Sequence, residues 1–378
     1  MIRTDQAHLP AVALTHAGMT GKTNEDRYAV SAYKLSPHQP PSVLLAVLSD
    51  GIGGHRAGEV AAELAVNTIS QYIAQSNEKH PIETIRESIE LASRTIYAQA
   101  SHDPEHSGMG STVALALAIG DHLYTASVGD SRIYLVRDGH IFQLTTDHTW
   151  IQEALEKGIL KPEQVKGHPN THVIRRYLGS PTPPVVDFRL RLSHQESDDQ
   201  ALANQGMVLK TDDRLLLCSD GLTDLVKPEE ILAVLLSKPL KEAVQALIDL
   251  ANQRGGHDNI TLIAIQVPEN LPKVASPSRK RVRAFLGITA SVLVILALAL
   301  GVLWIKQRGI ILNFSTPTPV LQIVPSPTLL VGNDTAQPMA TVTPLPVITF
   351  TPTALPTIPN GPTLTPWPTN TLAPQSTP

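Results

Sequence analysis

The sequence predicts an α+β sandwich, because segments with helical spacing of apolar residues and segments with strand spacing occur in separate blocks. Two helical stretches come before Thr112, and a block of short apolar runs follows it. Regular alternation of strand and helix, which would favour a doubly wound parallel sheet, is not found in the sequence. We assign this fold to residues 1–270.

Strands are predicted where short apolar runs are bounded by turn residues. Asp138-Gly139 stands between two such runs, which is a strong hairpin signal. The predicted strands are residues 11–14, 28–33, 43–48, 113–119, 123–128, 133–136, 141–144, 215–218 and 260–267.

Helices are predicted where apolar residues recur at intervals of three and four. Pro81 opens the clearest of them, a stretch with Ile82, Ile85, Ile89, Ala92 and Ile96. The other predicted helices are residues 58–66, a segment that begins at Pro228, and residues 240–251. Residues 150–182 are polar and irregular, and we expect a mobile helical flap there.

Composition excludes several classes of protein. The formal net charge of −4 gives no general attraction to nucleic acid, so we expect no nucleic-acid partner. The single cysteine, Cys218, excludes a disulfide within the chain and argues against a zinc site built from thiolates. The N-terminus is polar, and no signal peptide is predicted there.

A segment of 22 residues without a charge, residues 284–305, predicts a transmembrane helix. At about 1.5 Å per residue it is long enough for the roughly 30 Å hydrocarbon core. Residues 271–283 form a basic linker before it, and fewer basic residues follow it, so the positive-inside rule places residues 1–270 in the cytoplasm. The basic residues are Arg279, Lys280, Arg281 and Arg283 before the segment, and Lys306 and Arg308 after it.

The C-terminal residues 306–378 are rich in proline and threonine. Repeated proline removes backbone donors and favours polyproline II, so we predict a disordered, extended stalk outside the cell. The alternative for this tail is an anchor to cell wall or glycan.

Acidic residues follow two of the predicted strands in the same way. Ser49-Asp50-Gly51 and Ser219-Asp220-Gly221 each close an apolar run, which brings a carboxylate to the rim of a sheet. Gly256-His257-Asp258-Asn259 is a third acidic turn before a strand. Because like charges repel, carboxylates that meet in this way need a cation between them, and ligands that are all oxygen select Mg²⁺ or Mn²⁺.

With Asn24-Glu25-Asp26 and Gly129-Asp130-Ser131-Arg132, these turns resemble the metal-dependent protein phosphatases of type 2C (PPM), over residues 11–267. With the predicted membrane segment, the chain is similar to a bacterial membrane-anchored form of that family. The resemblance implies a four-layer αββα sandwich, two antiparallel sheets flanked by helices, with Mn²⁺ or Mg²⁺ in a cleft at the sheet edges.

The resemblance also implies a role for each acidic residue. Asp50 bridges two ions, Gly51 offers its carbonyl to one of them, and Asp220 and Asp258 bind the other. Asp50, Asp220 and Asp258 are then catalytic through a water that the two ions share and activate for attack on phosphorus. Glu25 and Asp26 hold waters on the metals. Asp130 and Asp220 frame a third, weaker ion.

The segment before Glu25 departs from the family. Four residues before the glutamate the family carries an arginine that grips the substrate phosphate, and here that position is Gly21. Two interpretations of Lys22 stay open: it binds the phosphate instead, as a point charge, or it is an ordinary solvated lysine. A nucleotide-binding loop at residues 18–23 is disfavoured because His16 stands where its first glycine belongs. A phosphatase nucleophile at Cys218 would need an arginine six residues later, where Asp224 stands.

The resemblance implies a membrane-anchored serine/threonine protein phosphatase whose catalytic domain faces the cytoplasm. Its partners would be phosphorylated proteins, among them a serine/threonine protein kinase. The alternative is a catalytically inactive, phosphatase-like scaffold that binds metal and signals through the tail. The two differ in turnover of a simple aryl phosphate.

Overall fold

The computed structural model describes residues 1–39, 42–53, 57–77, 79–193 and 195–269. The predicted linker (271–283), transmembrane helix (284–305) and tail (306–378) lie outside the described residues. In the described ranges, no helix combines the length and the apolar character that crossing a bilayer requires.

The described elements are numbered in chain order. The strands are β1 (Ile2–Thr4), β2 (Ala11–His16), β3 (Arg27–Lys34), β4 (Val43–Ser49), β5 (Gly51–Ile52), β6 (Gly110–Ser111), β7 (Val113–Ile119), β8 (His122–Val128), β9 (Arg132–Arg137), β10 (His140–Gln143), β11 (Met207–Val208), β12 (Arg214–Cys218) and β13 (Ile260–Gln266). The helices are α1 (Ala57–Gln75), α2 (Pro81–His102), α3 (Trp150–Glu156), α4 (Asp198–Ala203), α5 (Asp220–Thr223), α6 (Pro228–Ser237) and α7 (Leu240–Gln253).

Two antiparallel sheets form the centre of the fold. The six-stranded sheet has the order β1-β3-β4-β7-β8-β11, and the five-stranded sheet has the order β10-β9-β12-β13-β2. In the first sheet Leu45 of β4 pairs with Ser31 and Leu117. In the second sheet Leu216 of β12 pairs with Tyr134 and Ala264. A small third sheet, β5 with β6, follows Asp50 directly.

Strand β4 of the first sheet and strand β12 of the second are buried on both faces, and this produces four layers. Successive side chains of a strand point to opposite faces. Val43, Leu45 and Val47 of β4 pack with the apolar faces of α1 and α2. Leu44, Ala46 and Leu48 pack between the sheets with Leu215 and Leu217 of β12. Leu216 and Cys218 pack on the other side with α6 and α7. The predicted α+β sandwich is confirmed.

The long helices follow their predicted periodicity. In α2, Pro81 occupies the first turn, and Ile85, Ile89 and Ile96 are fully buried against the first sheet. Pro228 opens α6 as predicted, and α7 buries Val244, Leu247 and Ile248. Proline suits the first helical turn because its missing N–H has no intrahelical partner there.

The segment predicted as a helical flap is less helical than expected. Only Trp150–Glu156 and a short 3-10 turn at Pro162–Gln164 are helical between residues 150 and 182. Among the remaining residues, isolated bridges join Ile174 to Thr149 and Leu178 to Ser111. Backbone bonds of this kind fix the segment without periodic apolar residues, so the sequence pattern could not indicate them. We call residues 165–178 the flap segment below.

Candidate metal centre

The acidic turns meet where the two sheets adjoin. Asp50 follows β4 in the first sheet, and Asp220 follows β12 in the second. Asp130 lies in the turn that joins β8 of the first sheet to β9 of the second. Asp26 immediately precedes β3, and Asp258 stands two residues before β13. The topology therefore brings five carboxylates from distant parts of the chain to one place.

Thr112 holds the Asp50 turn against the Asp130 turn. Its hydroxyl accepts a hydrogen bond from the Asp50 N–H at 3.0 Å and lies 2.7 Å from the hydroxyl of Ser131. Its own N–H donates to the Asp50 carbonyl at 2.8 Å. Thr112 is fully buried, so these bonds fix two acidic turns without adding charge.

Ser219 and Asn259 fix the other acidic residues in the same manner. The Ser219 hydroxyl donates to the Asp26 carboxylate at 2.8 Å and accepts from the N–H of Thr261 at 3.0 Å. The side-chain oxygen of Asn259 accepts from the N–H of Glu25 at 2.7 Å. Neutral side chains thus tie the N-terminal acidic turn to the ends of β12 and β13.

Glycine follows Asp50 and Asp220 because the backbone is crowded at both positions. A Cβ at Gly221 would overlap the carbonyl oxygen of Asn259, and one at Gly51 would overlap the carbonyl oxygen of Gly58. In each case the obstructing atom belongs to the backbone, which cannot move aside as a flexible side chain can. The Asp-Gly pairs therefore reflect close packing of the chain as well as turn formation.

Burial and mutual repulsion raise the pKa values of the clustered acids. Burial raises the pKa of Asp50 well above its usual range, and the charges of Asp26 and Asp220 raise it further. Burial likewise raises the pKa of Asp26 to about 7, of Asp130 to about 8 and of Asp220 to about 6. For Glu25, burial followed by the charge of Asp258 raises the pKa to about 7. Without a counter-ion the cluster is electrostatically unfavourable.

Three carboxylate oxygens in the cluster show that it fits a cation. Oδ1 of Asp26, Asp130 and Asp220 is buried and has no hydrogen-bond partner among the described residues. Buried polar atoms are normally hydrogen-bonded, and an unmatched acceptor is costly unless an ion or a water completes it. These three candidate metal ligands are all carboxylate oxygens, which suit hard dications such as Mn²⁺ and Mg²⁺.

Asp258 and Lys22 form the exposed side of the cluster. Lys22 Nζ lies 3.8 Å from Oδ2 of Asp258, and both side chains are more than half exposed. Gly21, where the family resemblance expects arginine, has φ of 74°. This left-handed conformation is open to glycine and strained for arginine. The structure thus places Lys22 beside the acidic cluster and explains why glycine precedes it.

Arg132 is engaged in an ion pair, and Cys218 is buried in a strand. Arg132 forms a two-point ion pair with Asp147, with Nε to Oδ1 at 3.0 Å and Nη2 to Oδ2 at 2.6 Å. Cys218 is fully buried in β12, and burial raises the pKa of its thiol to about 12. A thiol in this state is a poor nucleophile.

A buried histidine beside the Asp130 turn was not indicated by the sequence pattern. His148 Nδ1 accepts from the N–H of Gly129 at 3.0 Å, and Nε2 lies 3.1 Å from Oδ2 of Asp187. Burial opposes ionisation of Asp187, but hydrogen bonds from His148 and Arg189 lower its pKa below the usual range. The sequence pattern does not indicate the pairing of His148 with Asp187, because Asp187 lies in an irregular segment 39 residues away.

The chain is similar in sequence to known protein phosphatases. The family profile described as protein phosphatase 2C matches residues 16–261. Serine/threonine protein phosphatase PstP of Mycobacterium tuberculosis is 34% identical over 256 residues, which cover 68% of this chain and 44% of PstP. Serine/threonine phosphatase stp of Listeria monocytogenes is 33% identical over 257 residues, which cover 67% of this chain and 93% of that protein.

Solved phosphatase structures are similar to this chain in fold. The S. agalactiae serine/threonine phosphatase superposes with a TM-score of 0.60 at 32% identity, over 68% of this chain and 99% of that one. The catalytic domain of PstP in complex with two manganese ions gives a TM-score of 0.55 at 31% identity, over 69% of this chain and 98% of that one.

The chain belongs to the protein phosphatase 2C family. Its described residues form a serine/threonine phosphatase domain of this metal-dependent family. The chain spans less than half the length of PstP.

Proposed function

We propose that this protein is a metal-dependent phosphatase that hydrolyses phosphoserine and phosphothreonine in other proteins. The observation that carries the proposal is the cluster of acidic residues at the sheet junction, with its buried, unpartnered oxygens on Asp26, Asp130 and Asp220. This donor set agrees with the two manganese ions of PstP. The competing proposal, an inactive scaffold that binds metal, shares the cluster and differs in turnover.

The groups that would bind the two cations are Asp50, the Gly51 carbonyl, Asp220 and Asp258. Glu25 and Asp26 would hold waters bound to these cations. Asp130, together with Asp220, would serve a third ion. When bound, the cations supply Lewis-acid polarisation of the phosphoryl group and lower the pKa of water. The uncharged residues Thr112, Ser219 and Asn259 keep the acidic turns in position, so the chain's contribution is positioning.

Transfer to water is the reaction that this chain's residues favour. Its one thiol, Cys218, is buried, and its raised pKa makes it unsuitable as a nucleophile. We infer that Lys22 orients the substrate phosphate from the exposed side of the cluster. Its Nζ already lies near Asp258, where a phosphate approaching the cations would find a positive charge.

We also propose that the enzyme is anchored in the membrane by residues 284–305, with its catalytic domain in the cytoplasm and its tail outside the cell. The uncharged segment and the excess of basic residues before it support this arrangement. Its substrates would be phosphorylated proteins of the cytoplasm. A serine/threonine protein kinase is the expected opposing partner, because phosphatase and kinase act on the same side chains.

Hydrolysis of an aryl phosphate and of a phosphothreonine peptide by the full chain, with and without Mn²⁺, tests the proposed activity. The parent should turn over both substrates only with metal, and Asp220→Asn should lose most of the rate. Asp249→Asn, a matched change on the exposed face of α7, should behave as the parent does. Binding of Mn²⁺ without turnover by the parent would favour the inactive scaffold.

A further inference from the structure

His148 binds both backbone groups of the glycine that precedes Asp130. Its Nδ1 accepts from the N–H of Gly129 at 3.0 Å, and its own N–H donates to the Gly129 carbonyl at 2.9 Å. On the other side of Gly129, a Cβ would overlap the side chain of Thr112. The backbone that leads into Asp130 is therefore held between Thr112 and His148, and both of these residues are buried.

The ring of His148 is in turn fixed by Asp187. A backbone N–H can only donate, so the bond from Gly129 requires Nδ1 without a proton, and the ring then carries its proton on Nε2. Nε2 lies 3.1 Å from Oδ2 of Asp187, which can accept this proton in a hydrogen bond. Asp187 exchanges two backbone hydrogen bonds with Ser127, each at 3.0 Å, and its carboxylate accepts from Nη2 of Arg189 at 2.6 Å. The ring thus has one orientation and one tautomer.

The main chain of His148 also contacts the flap segment. The N–H of Arg175 donates to the His148 carbonyl at 2.7 Å, and the N–H of Trp150 donates to the carbonyl of Val173 at 2.8 Å. These bonds join backbone groups and do not involve the imidazole. A substitution of the His148 side chain therefore alters the support of the Asp130 turn and leaves these attachments of the flap segment in place.

We propose that His148 is a positioning residue whose imidazole, oriented by Asp187, sets the backbone of Gly129 and thereby the direction of the Asp130 carboxylate in the metal centre. Oδ1 of Asp130 is buried and has no hydrogen-bond partner among the described residues, so no hydrogen bond fixes that oxygen there. Its direction then depends on the backbone that carries it. Residues that support a metal ligand in this way affect metal affinity about 10- to 100-fold.

The inference rests on the proposed function, because it takes Asp130 as a residue that holds a cation. It adds a histidine that is not itself a metal ligand, since Gly129 engages its Nδ1 and Asp187 its Nε2. The imidazole acts only through Gly129. Its loss should therefore weaken the binding of one cation and leave the contacts with substrate unchanged.

Two substitutions separate the two contacts of the ring. In His148→Asn the side-chain oxygen can take the place of Nδ1 and accept from Gly129, but the side chain is too short to reach Asp187. In His148→Gln the polar end takes the place of Nε2, which keeps a donor for Asp187 and leaves Gly129 without an acceptor. His148→Ala removes both contacts. His8→Ala is the matched control, because Nε2 of His8 bonds to the Gly120 carbonyl beyond the opposite end of β7.

Calorimetric titration of the chelator-treated full chain with Mn²⁺ measures cation binding without turnover. The parent and His8→Ala should have the same affinities. His148→Ala and His148→Gln should each lose about tenfold or more in the affinity of one Mn²⁺ site, and His148→Asn should lie closer to the parent. A histidine that only stabilises the fold would lower the number of binding-competent molecules and leave their affinity unchanged.

Circular dichroism on the metal-free variants shows which of them are folded at the temperature of the titration, and the asparagine and glutamine variants decide the question if His148→Ala is not. Parental Mn²⁺ affinity in His148→Gln, or weaker binding by His148→Asn than by His148→Gln, would refute the positioning role. Hydrogen exchange of the Gly129 amide in the metal-free protein is a second readout. Exchange should be slow in the parent and in His148→Asn and fast in His148→Gln, whereas fast exchange in the parent would overturn the inference.

Phosphatase assays on the same preparations separate this inference from the proposed function. In His148→Gln the Mn²⁺ concentration for half-maximal hydrolysis of an aryl phosphate should rise about tenfold, with the rate restored at saturating Mn²⁺. A parent that hydrolyses substrate, together with parental Mn²⁺ affinity in His148→Gln, would refute the positioning role alone. A parent without turnover, together with the expected order of Mn²⁺ affinities, would refute the proposed activity alone.

Discussion

Replacing Asp130 by asparagine should make the metal-free protein more stable at neutral pH. Asp130 is buried, and burial followed by repulsion from Asp220 raises its pKa to about 8 from an ordinary value of 3.8. Asparagine has nearly the shape of the protonated carboxyl group and cannot ionise. The substitution therefore removes the cost of keeping this group folded at a pH where the unfolded chain would release its proton.

The size of the effect depends on pH in a defined direction. A carboxyl group whose pKa is raised by folding binds more protons in the folded state, so its contribution to stability is greatest at low pH. That contribution is lost as pH rises from the unfolded pKa towards the folded one. Each pH unit above 3.8 costs about 1.4 kcal/mol, which gives about 4 kcal/mol at pH 7 and about 2 kcal/mol at pH 5.

Urea denaturation in excess chelator at pH 5 and pH 7 measures this gain. Asp130→Asn should exceed the parent in free energy of unfolding, by more at pH 7 than at pH 5. Asp213→Asn is the matched control, because Asp213 is 1% exposed and accepts a hydrogen bond from Nε of Arg137 at 2.9 Å. It should lose stability at both pH values. Destabilisation of Asp130→Asn at pH 7, or a gain independent of pH, would refute the reasoning.

Three further predictions concern the substrate, the Asp130 turn and the membrane. Lys22→Ala should lower kcat/KM on a phosphopeptide roughly ten- to a hundredfold, because a charge-assisted contact contributes about 1.5–3 kcal/mol, and Lys22→Arg should retain activity. Unaltered kinetics of Lys22→Ala would show that the lysine is a surface charge. His148→Ala should lower the free energy of unfolding by about 1–3 kcal/mol, since it leaves the buried Gly129 N–H without its acceptor, and parental stability would contradict this role. Protease added to intact cells should trim residues beyond 309 and spare residues 1–283, whereas digestion of the catalytic domain would reverse the proposed orientation.

The central strands and their acidic ends were predictable because each carries its own signal. The apolar run 43–48 is long enough to be a buried strand, and Asp-Gly marks where it ends. The same is true of residues 215–218 before Asp220. What the pattern could not supply is the sheet to which each strand belongs, since a run that is apolar on both faces does not indicate its neighbours.

The features that the sequence pattern did not indicate are those fixed by contacts between residues that are distant in sequence. In the sequence, His148 is not distinguished from other polar residues. Its role follows from its contacts with Gly129 and Asp187 in the structure. His172 likewise lies in a segment without periodicity, and backbone bonds to Trp150 and His148 determine its position beside Asp224. Local spacing carries no information about such contacts. The sequence therefore predicted a flap but not the backbone bonds that fix it.

The chemistry of the residues around the acidic cluster explains how it is kept in position when its own charges oppose folding. Thr112, Ser219 and Asn259 hold the turns through hydroxyl and amide groups, and none of these side chains neutralises a carboxylate. A lysine or arginine at these positions would stabilise the metal-free domain but would compete with a cation for the same oxygens. The arginine nearest to Asp130, Arg132, is instead paired with Asp147. The fold thus keeps the turns rigid and their charge unbalanced, which is the condition under which binding of a dication contributes most to stability.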